Sequence, residues 1–143
     1  MLTPENAVYT ARATARGGRA GHVRTEDGII DLDLAAPPET GGPGGAANPE
    51  LLFAAGYAAC YQNAFERVAK KEGVDASESR VSAEVGFGRD TERGFAISVV
   101  LRAGVPGVPV EEVRRLMAAA HEVCPYSKAT RGNIPVELVP EAA

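Results

Sequence analysis

The chain has 143 residues, 45% of them apolar and 6% aromatic, with no tryptophan; this suits one domain over residues 1–143 and argues against a second independent core. Fifteen basic side chains stand against 19 acidic ones, a net charge of −4, and without a Lys/Arg run this disfavours a nucleic-acid surface. The longest apolar run, Leu51 to Tyr61, is about half the ~20 residues of a spanning helix, and Met1-Leu2-Thr3-Pro4-Glu5 has no signal pattern, so a cytoplasmic protein that engages neither membrane nor nucleic acid is expected.

Residues 7–16 mix β-branched, aromatic and small side chains and predict a strand that Gly17-Gly18 breaks. His22 to Thr25 predicts a second strand, and Asp27-Gly28 a hairpin turn. Ile30, Leu32 and Leu34 alternate with Asp31 and Asp33, the pattern of a half-buried third strand. Residues 35–47, with Pro37-Pro38, Gly41-Gly42, Pro43 and Gly44-Gly45, read as a long loop.

A helix should follow. Asn48 suits the N-cap, Pro49 the first position, and Glu50 the positive helix end. Lys70 and Lys71 suit its last turn and Gly73 its termination. Its first half is apolar all round, so it should be buried on every side. Val81, Ala83, Val85 and Phe87 then mark a strand, residues 90–93 a turn, and Gly94 to Arg102 its partner. Residues 110–123 read as a helix with Val113, Leu116, Met117 and Ala120 on one face. Pro125 forces a break after Cys124. A short helical turn reaches about Arg131, and Ile134 to Val139 predicts an edge strand. Strands and helices segregate, which indicates an α+β fold.

The two cysteines, Cys60 and Cys124, carry the chemical question. In a reducing compartment they are inert core groups, metal ligands or redox groups. Cys60 falls mid-helix, ~15 Å from Glu50, beyond the helix dipole, which fades within the first turn. Apolar surroundings alone would raise its pKa and leave it inert, so a reactive Cys60 needs a cation from elsewhere. Arg12, Arg16 and Arg19 are available, and Arg19 projects from a glycine-flanked turn. Cys124 ends a helix, where the negative pole disfavours a thiolate; it suits a second, resolving step. Buried inert thiols are an open alternative. A zinc site of Cys60, Cys124 and His121 is another, although no CxxC or HxxxH pair anchors it, and a Cys–His hydrolase pair would lack a visible oxyanion-hole motif.

Two longer stretches go further. Asn48-Pro49-Glu50-Leu51-Leu52-Phe53-Ala54-Ala55-Gly56-Tyr57-Ala58-Ala59-Cys60 and Val123-Cys124-Pro125-Tyr126-Ser127-Lys128-Ala129-Thr130-Arg131-Gly132-Asn133-Ile134 resemble the organic hydroperoxide resistance branch of the osmotically inducible protein C (OsmC) superfamily. Tyr9-Thr10-Ala11, Gly17-Gly18-Arg19 and the loop Gly41-Gly42-Pro43-Gly44-Gly45 fit that branch as well. Ala47, where relatives commonly carry Thr, and Lys128, where they carry Asn, depart from its pattern.

The resemblance implies an OsmC-like fold, with antiparallel sheets packed around a buried central helix in an intertwined homodimer. It implies a thiol peroxidase that reduces alkyl and fatty-acid hydroperoxides, with Cys60 as peroxidatic thiolate and Cys124 as resolving thiol. Arg19 would stabilise the thiolate, and Glu50 would hold Arg19. No cofactor or metal is expected to be bound; dihydrolipoamide or a lipoylated protein would be the external reductant. Because Glu50 and Cys60 cannot meet on one straight helix, the acid is expected in trans from the second chain. Leu51, Leu52, Phe53, Tyr57, Met117 and Tyr126 are candidate walls of an apolar substrate pocket. A peroxidase preferring inorganic peroxide and a non-catalytic dimeric binding protein are the competing readings.

Overall fold

A computed structural model of residues 1–143 contains six strands and three helices: β1 (Ala13–Arg16), β2 (His22–Thr25), β3 (Asp31–Asp33), α1 (Pro49–Lys71), β4 (Arg80–Asp90), β5 (Gly94–Gly104), α2 (Val110–Val123), α3 (Pro125–Thr130) and β6 (Val136–Pro140). Two short 3₁₀ turns, Gly18–Ala20 and Pro38–Thr40, interrupt the first third. The fold is α+β, as expected. The chain divides into two compact units, Met1–Leu52 and Phe53–Ala143, which are described separately.

The first unit carries an antiparallel sheet in the order β1-β2-β3. Thr25 and Asp27 build the β2–β3 turn: the Asp27 carboxylate accepts from the Thr25 hydroxyl and the Ile29 N–H. The strand expected over 7–16 is shorter, because its partner β2 ends at Thr25 and only the bond from Glu26 N–H to Arg12 O extends the pairing. Nor is β3 half-buried. Its three residues are exposed, Leu32 and Ile30 retain 38% and 39% of their surface, and only Leu34 is buried. A three-stranded sheet of such short strands has no second layer within its own unit to cover an apolar face.

Between β3 and α1 the long loop closes on itself. Leu34 bridges Ala47, and Ala35 N–H donates to Ala47 O. The start of α1 follows its sequence signals: the Asn48 side-chain oxygen accepts the Leu51 N–H at 2.9 Å, which satisfies one of the free donors of the first turn.

The second unit holds the larger core. β4 and β5 form a long hairpin closed by residues 91–93. β6 pairs beside β5, but in parallel, which corrects the expectation of purely antiparallel sheets: α2 and α3 form the crossover that parallel neighbours require. Val99, Leu101 and Ala103 alternate inward along β5 and join Val113, Leu116, Met117 and Ala120 of α2 with Tyr57, Tyr61, Ala64, Phe65 and Ala69 of α1. The Tyr61 hydroxyl donates to Met117 O at 2.7 Å, tying α1 to α2. Helix α1 ends where Gly73 adopts φ +75°, and Val74 N–H returns to Ala69 O.

The expectation that the first half of α1 is buried all round is not met within the single chain. Leu51, Ala55 and Ala59, one turn apart, form an exposed stripe, Leu51 retaining 57% of its surface. An i, i+4, i+8 apolar stripe facing water is the reverse of a helix enclosed by its own chain. The outer half of the β4–β5 hairpin, beyond the residues that pair with β6, carries its own aromatic cover: Phe87 and Phe95 stack at 4.9 Å, and Arg89 lies 5.5 Å from the Phe95 ring. No helix is long and apolar enough to cross a membrane.

Candidate active site

Within the second unit the two thiols, 64 positions apart, meet: the Sγ atoms of Cys60 and Cys124 lie 3.7 Å apart and both cysteines are free. Each is placed by a different device. Cys60 sits mid-helix on α1, one turn past Tyr57, and is partly exposed. Cys124 is fully buried at the junction of α2 and α3. There its N–H closes α2 on Ala120 O, and its C=O opens α3 by accepting from Lys128 N–H. Pro125, which cannot donate, makes this junction a break between two helices.

Burial pushes the Cys60 thiol up from its ordinary value, and the neighbouring Cys124 adds to that shift; a backbone hydrogen bond from Tyr126 N–H opposes it. The Tyr126 amide contact is not among the expected contacts of Cys60, because its position depends on the turn after Cys124. Desolvation still dominates, so the thiolate needs a further positive charge.

The Tyr126 ring packs on the first half of α1. It lies 6.1 Å from Phe53 and 5.7 Å from Tyr57 between centroids. A Cβ on Gly56 would fall 2.9 Å from the Tyr126 hydroxyl oxygen and 3.2 Å from its ring, so the glycine one turn before Cys60 makes room for this ring. Phe53 and Tyr126 keep accessible surface here and can act as walls. Tyr57 and Met117 cannot: both are completely buried in the core, the Tyr57 hydroxyl bonded to Ser127 and Thr130 and the Met117 carbonyl to Tyr61. They are removed from the set of pocket residues, since a side chain without accessible surface offers none to a ligand. Leu51 and Leu52 belong to the first unit, Leu51 on the exposed stripe of α1 and Leu52 partly exposed.

In the first unit, Arg19 and Glu50 form a two-point pair, Nη2 to Oε1 at 2.6 Å and Nη1 to Oε2 at 2.9 Å, the geometry that matches guanidinium to carboxylate. The turn that presents Arg19 requires glycine: a Cβ on Gly21 would lie 1.7 Å from Arg16 O, and Gly17 adopts φ +76°. The Arg19 bond holds the Glu50 carboxyl below the usual carboxylate range against the opposing effect of burial, and the same bond raises the Arg19 pKa. Glu50 thus reaches Arg19 within one chain. The acid expected in trans is bonded to the Arg19 of its own chain. Of the other two candidate cations, Arg16 is exposed on β1 and Arg12 pairs with Glu26 at 3.7 Å.

His121, considered as a zinc ligand, instead bonds Ser127 through Nδ1 at 2.7 Å. No three His, Cys, Asp or Glu side chains converge as a metal site would require.

A family model described as OsmC-like protein matches residues 42–139. The chain belongs to the OsmC-like family, in its organic hydroperoxide resistance branch. It is 48% identical over 140 residues to an organic hydroperoxide resistance protein of Xanthomonas axonopodis pv. citri, covering 96% of this chain and 98% of that one. Organic hydroperoxide resistance protein OhrB of Bacillus subtilis is 45% identical over 133 residues, covering 92% and 97%. Among solved structures, an organic hydroperoxide resistance protein from Legionella pneumophila aligns with a TM-score of 0.89 at 48% identity, covering 96% of this chain and 99% of that one. The OsmC-like match includes both thiols and Glu50; Arg19 precedes its first residue.

Proposed function

We propose that this protein reduces organic hydroperoxides to alcohols through Cys60 and Cys124. The observation that carries the reading is the pair of free thiols 3.7 Å apart, one partly exposed and one buried. The Cys60 thiolate attacks one oxygen of the O–O bond. An S–O bond forms, the O–O bond breaks, and the alkoxide takes a proton and leaves as the alcohol. Sulfur has then lost two electrons to the peroxide and is a sulfenic acid. The Cys124 sulfur attacks it, an S–S bond replaces the S–O bond, and hydroxide leaves with the Cys124 proton as water. An external dithiol, dihydrolipoamide or a lipoylated protein, returns both thiols by exchange and becomes the cyclic disulfide.

Arg19, held by Glu50, supplies the positive charge that the partly desolvated Cys60 thiol demands. We place it at Cys60 through a two-fold homodimer. Helix α1 runs unbroken from Pro49 to Lys71, so the ~15 Å between Glu50 and Cys60 is not removed by a kink. The exposed Leu51–Ala55–Ala59 stripe and the exposed Ile30 and Leu32 are apolar surfaces that a second copy would cover. The rings of Phe53 and Tyr126 favour an alkyl group over bare hydrogen peroxide. Free thiols in close reach suit a reducing, cytoplasmic setting.

The test is turnover of tert-butyl hydroperoxide with dihydrolipoamide. Cys60→Ser should abolish it, and Cys124→Ser should leave a single peroxide turnover without disulfide. Variants that both recycle like the parent would overturn the reading in favour of inert thiols, and a parent faster with hydrogen peroxide would overturn the substrate class.

A further inference from the structure

Behind the thiols runs a chain of polar side chains that the peroxidase chemistry does not use. The Tyr57 hydroxyl is hydrogen-bonded to Ser127 Oγ at 2.9 Å and to Thr130 Oγ1 at 3.0 Å. Ser127 Oγ in turn meets His121 Nδ1 at 2.7 Å. Tyr57 and Ser127 have no exposed surface and Thr130 has 5%. The Thr130 hydroxyl also reaches Ser127 O at 3.3 Å, and Arg131 Nη1 donates to His121 O at 2.7 Å.

Four hydroxyl and imidazole groups would be costly to bury without partners, by about 1–3 kcal/mol for each unsatisfied group; here every buried side-chain N or O has one. A purely apolar filling would have avoided that requirement, so a fully satisfied network in this position specifies geometry rather than burial.

Its members sit on the three elements that place the thiols. Tyr57 lies one turn before Cys60 on α1. His121 lies three residues before Cys124 on α2, and Ser127 three residues after it on α3. The His121–Ser127 bond spans the helix break at Cys124 and sets the angle between α2 and α3. The bonds from Tyr57 to Ser127 and Thr130 fix α3 to the stretch of α1 that carries Cys60. Disulfide closure requires the 3.7 Å between the two sulfurs to shorten to about 2.05 Å.

We propose that His121, Ser127, Tyr57 and Thr130 form a latch that presents the Cys124 sulfur to Cys60, and are positioning residues for disulfide closure. This rests on the reading of Cys60 and Cys124 as a redox pair. With Nδ1 protonated, His121 donates to Ser127, Ser127 to Tyr57, Tyr57 to Thr130 and Thr130 to Ser127 O, so all four bonds are made; with Nδ1 unprotonated the direction reverses, Thr130 donates to Tyr57, and its bond to Ser127 O is given up.

The test equilibrates the reduced protein in a glutathione redox buffer. One oxidised glutathione takes two electrons and two protons from Cys60 and Cys124, leaving the internal disulfide and two reduced glutathiones. The equilibrium gives the effective concentration of Cys124 at Cys60 without any peroxide. Ser127→Ala, Thr130→Val and His121→Ala should each lower it about tenfold or more. His121→Asn, which restores a hydrogen-bonding atom near the Nδ1 position, should recover most of the loss. Far-UV circular dichroism and the melting temperature identify folded variants, and Tyr57→Phe, which deletes one oxygen only, serves if a larger change unfolds the chain. Folded variants with the parental effective concentration would overturn the latch, as would an Asn variant no better than Ala. Failure of the peroxidase reading would look different: a parent that forms the disulfide with glutathione but not with tert-butyl hydroperoxide.

Discussion

The two units differ in what they enclose: both carry ion pairs at the surface, such as Arg102–Glu84 and Arg115–Glu112 in the second, and only the second encloses a network of polar side chains. Met1–Leu52 keeps its charges at the surface: Arg12 faces Glu26, Arg24 faces Asp31, and both ring nitrogens of His22 bond carboxylates, Nδ1 to Asp33 at 2.8 Å and Nε2 to Asp31 at 2.5 Å. Phe53–Ala143 places neutral hydroxyls, a half-buried imidazole and two thiols in or beside an apolar core. Charge is inexpensive where water screens it and costly where it is desolvated. The lesson is a division of labour: the proposed cation is carried by the unit where water and Glu50 offset its charge, and the thiols by the unit whose core encloses them.

That contrast is broken most directly by core truncation. Phe65→Ala should cost about 3–5 kcal/mol, because Phe65 is completely buried in the second unit. Leu32→Ala in the exposed sheet should cost far less. Denaturant unfolding of both variants decides, and equal losses would mean that Leu32 is buried in the protein in solution, the result expected if a partner covers it.

The next largest effect falls on chemistry. Arg19→Ala should slow the reaction of Cys60 with organic hydroperoxide by about 100-fold and, because it removes a charge that stabilises the reduced thiolate, shift the glutathione equilibrium of the two thiols toward the disulfide. Stopped-flow consumption of tert-butyl hydroperoxide measures the first quantity. A parental rate would detach the first unit from the chemistry altogether. Glu50 sharpens this through pH. Its folded-state pKa is depressed by Arg19, so its contribution is present above the ordinary carboxylate value and lost as pH falls through the depressed one. Arg19-dependent rates should therefore persist below the ordinary glutamate pKa, and Glu50→Gln should remove that acid limb from the rate profile.

Gly56→Ala should have a smaller effect, split between the two readouts. Replacing a mid-helix glycine favours the helix by about 1 kcal/mol, which offsets the displacement of the Tyr126 ring, so the melting temperature should barely move. The KM for a bulky aryl hydroperoxide should rise several-fold, and steady-state kinetics that leave it unchanged would remove Tyr126 from the substrate approach.

The smallest effect concerns His22, whose pKa is raised first by its bond to Asp33 and then by Asp31. A raised folded-state value means that this stabilisation is complete below the ordinary imidazole pKa and fades as pH rises through the raised one. An NMR titration of the His22 ring should show a midpoint above the ordinary imidazole value, and His22→Gln should flatten the dependence of stability on pH in that window. A midpoint at the ordinary value would mean that the two carboxylate bonds do not persist in water.

Local sequence signals determined much of this protein. Asn48-Pro49 and Gly73 bounded α1, Pro125 placed the break after Cys124, and alternation along residues 81–87 with the turn at 90–93 marked the β4–β5 hairpin. Capping, ring closure of proline and strand periodicity act over a few residues and are readable there. The NPE and CPYS stretches marked both cysteines, Glu50 and the family.

Other features were decided only when distant segments met. Alternation at Ile30, Leu32 and Leu34 looked half-buried, yet burial depends on what lies opposite a face, and its own unit supplies no layer there. Tyr57 and Met117 read as pocket walls because apolar residues look alike in sequence whether they face a ligand or a core. The parallel setting of β6, the 3.7 Å between two thiols 64 positions apart, the Tyr126 amide on Cys60 and the bonds joining His121, Ser127, Tyr57 and Thr130 are pairings across long loops. Their closure is bought by packing of the whole core rather than by local preference, so no window of sequence contains them.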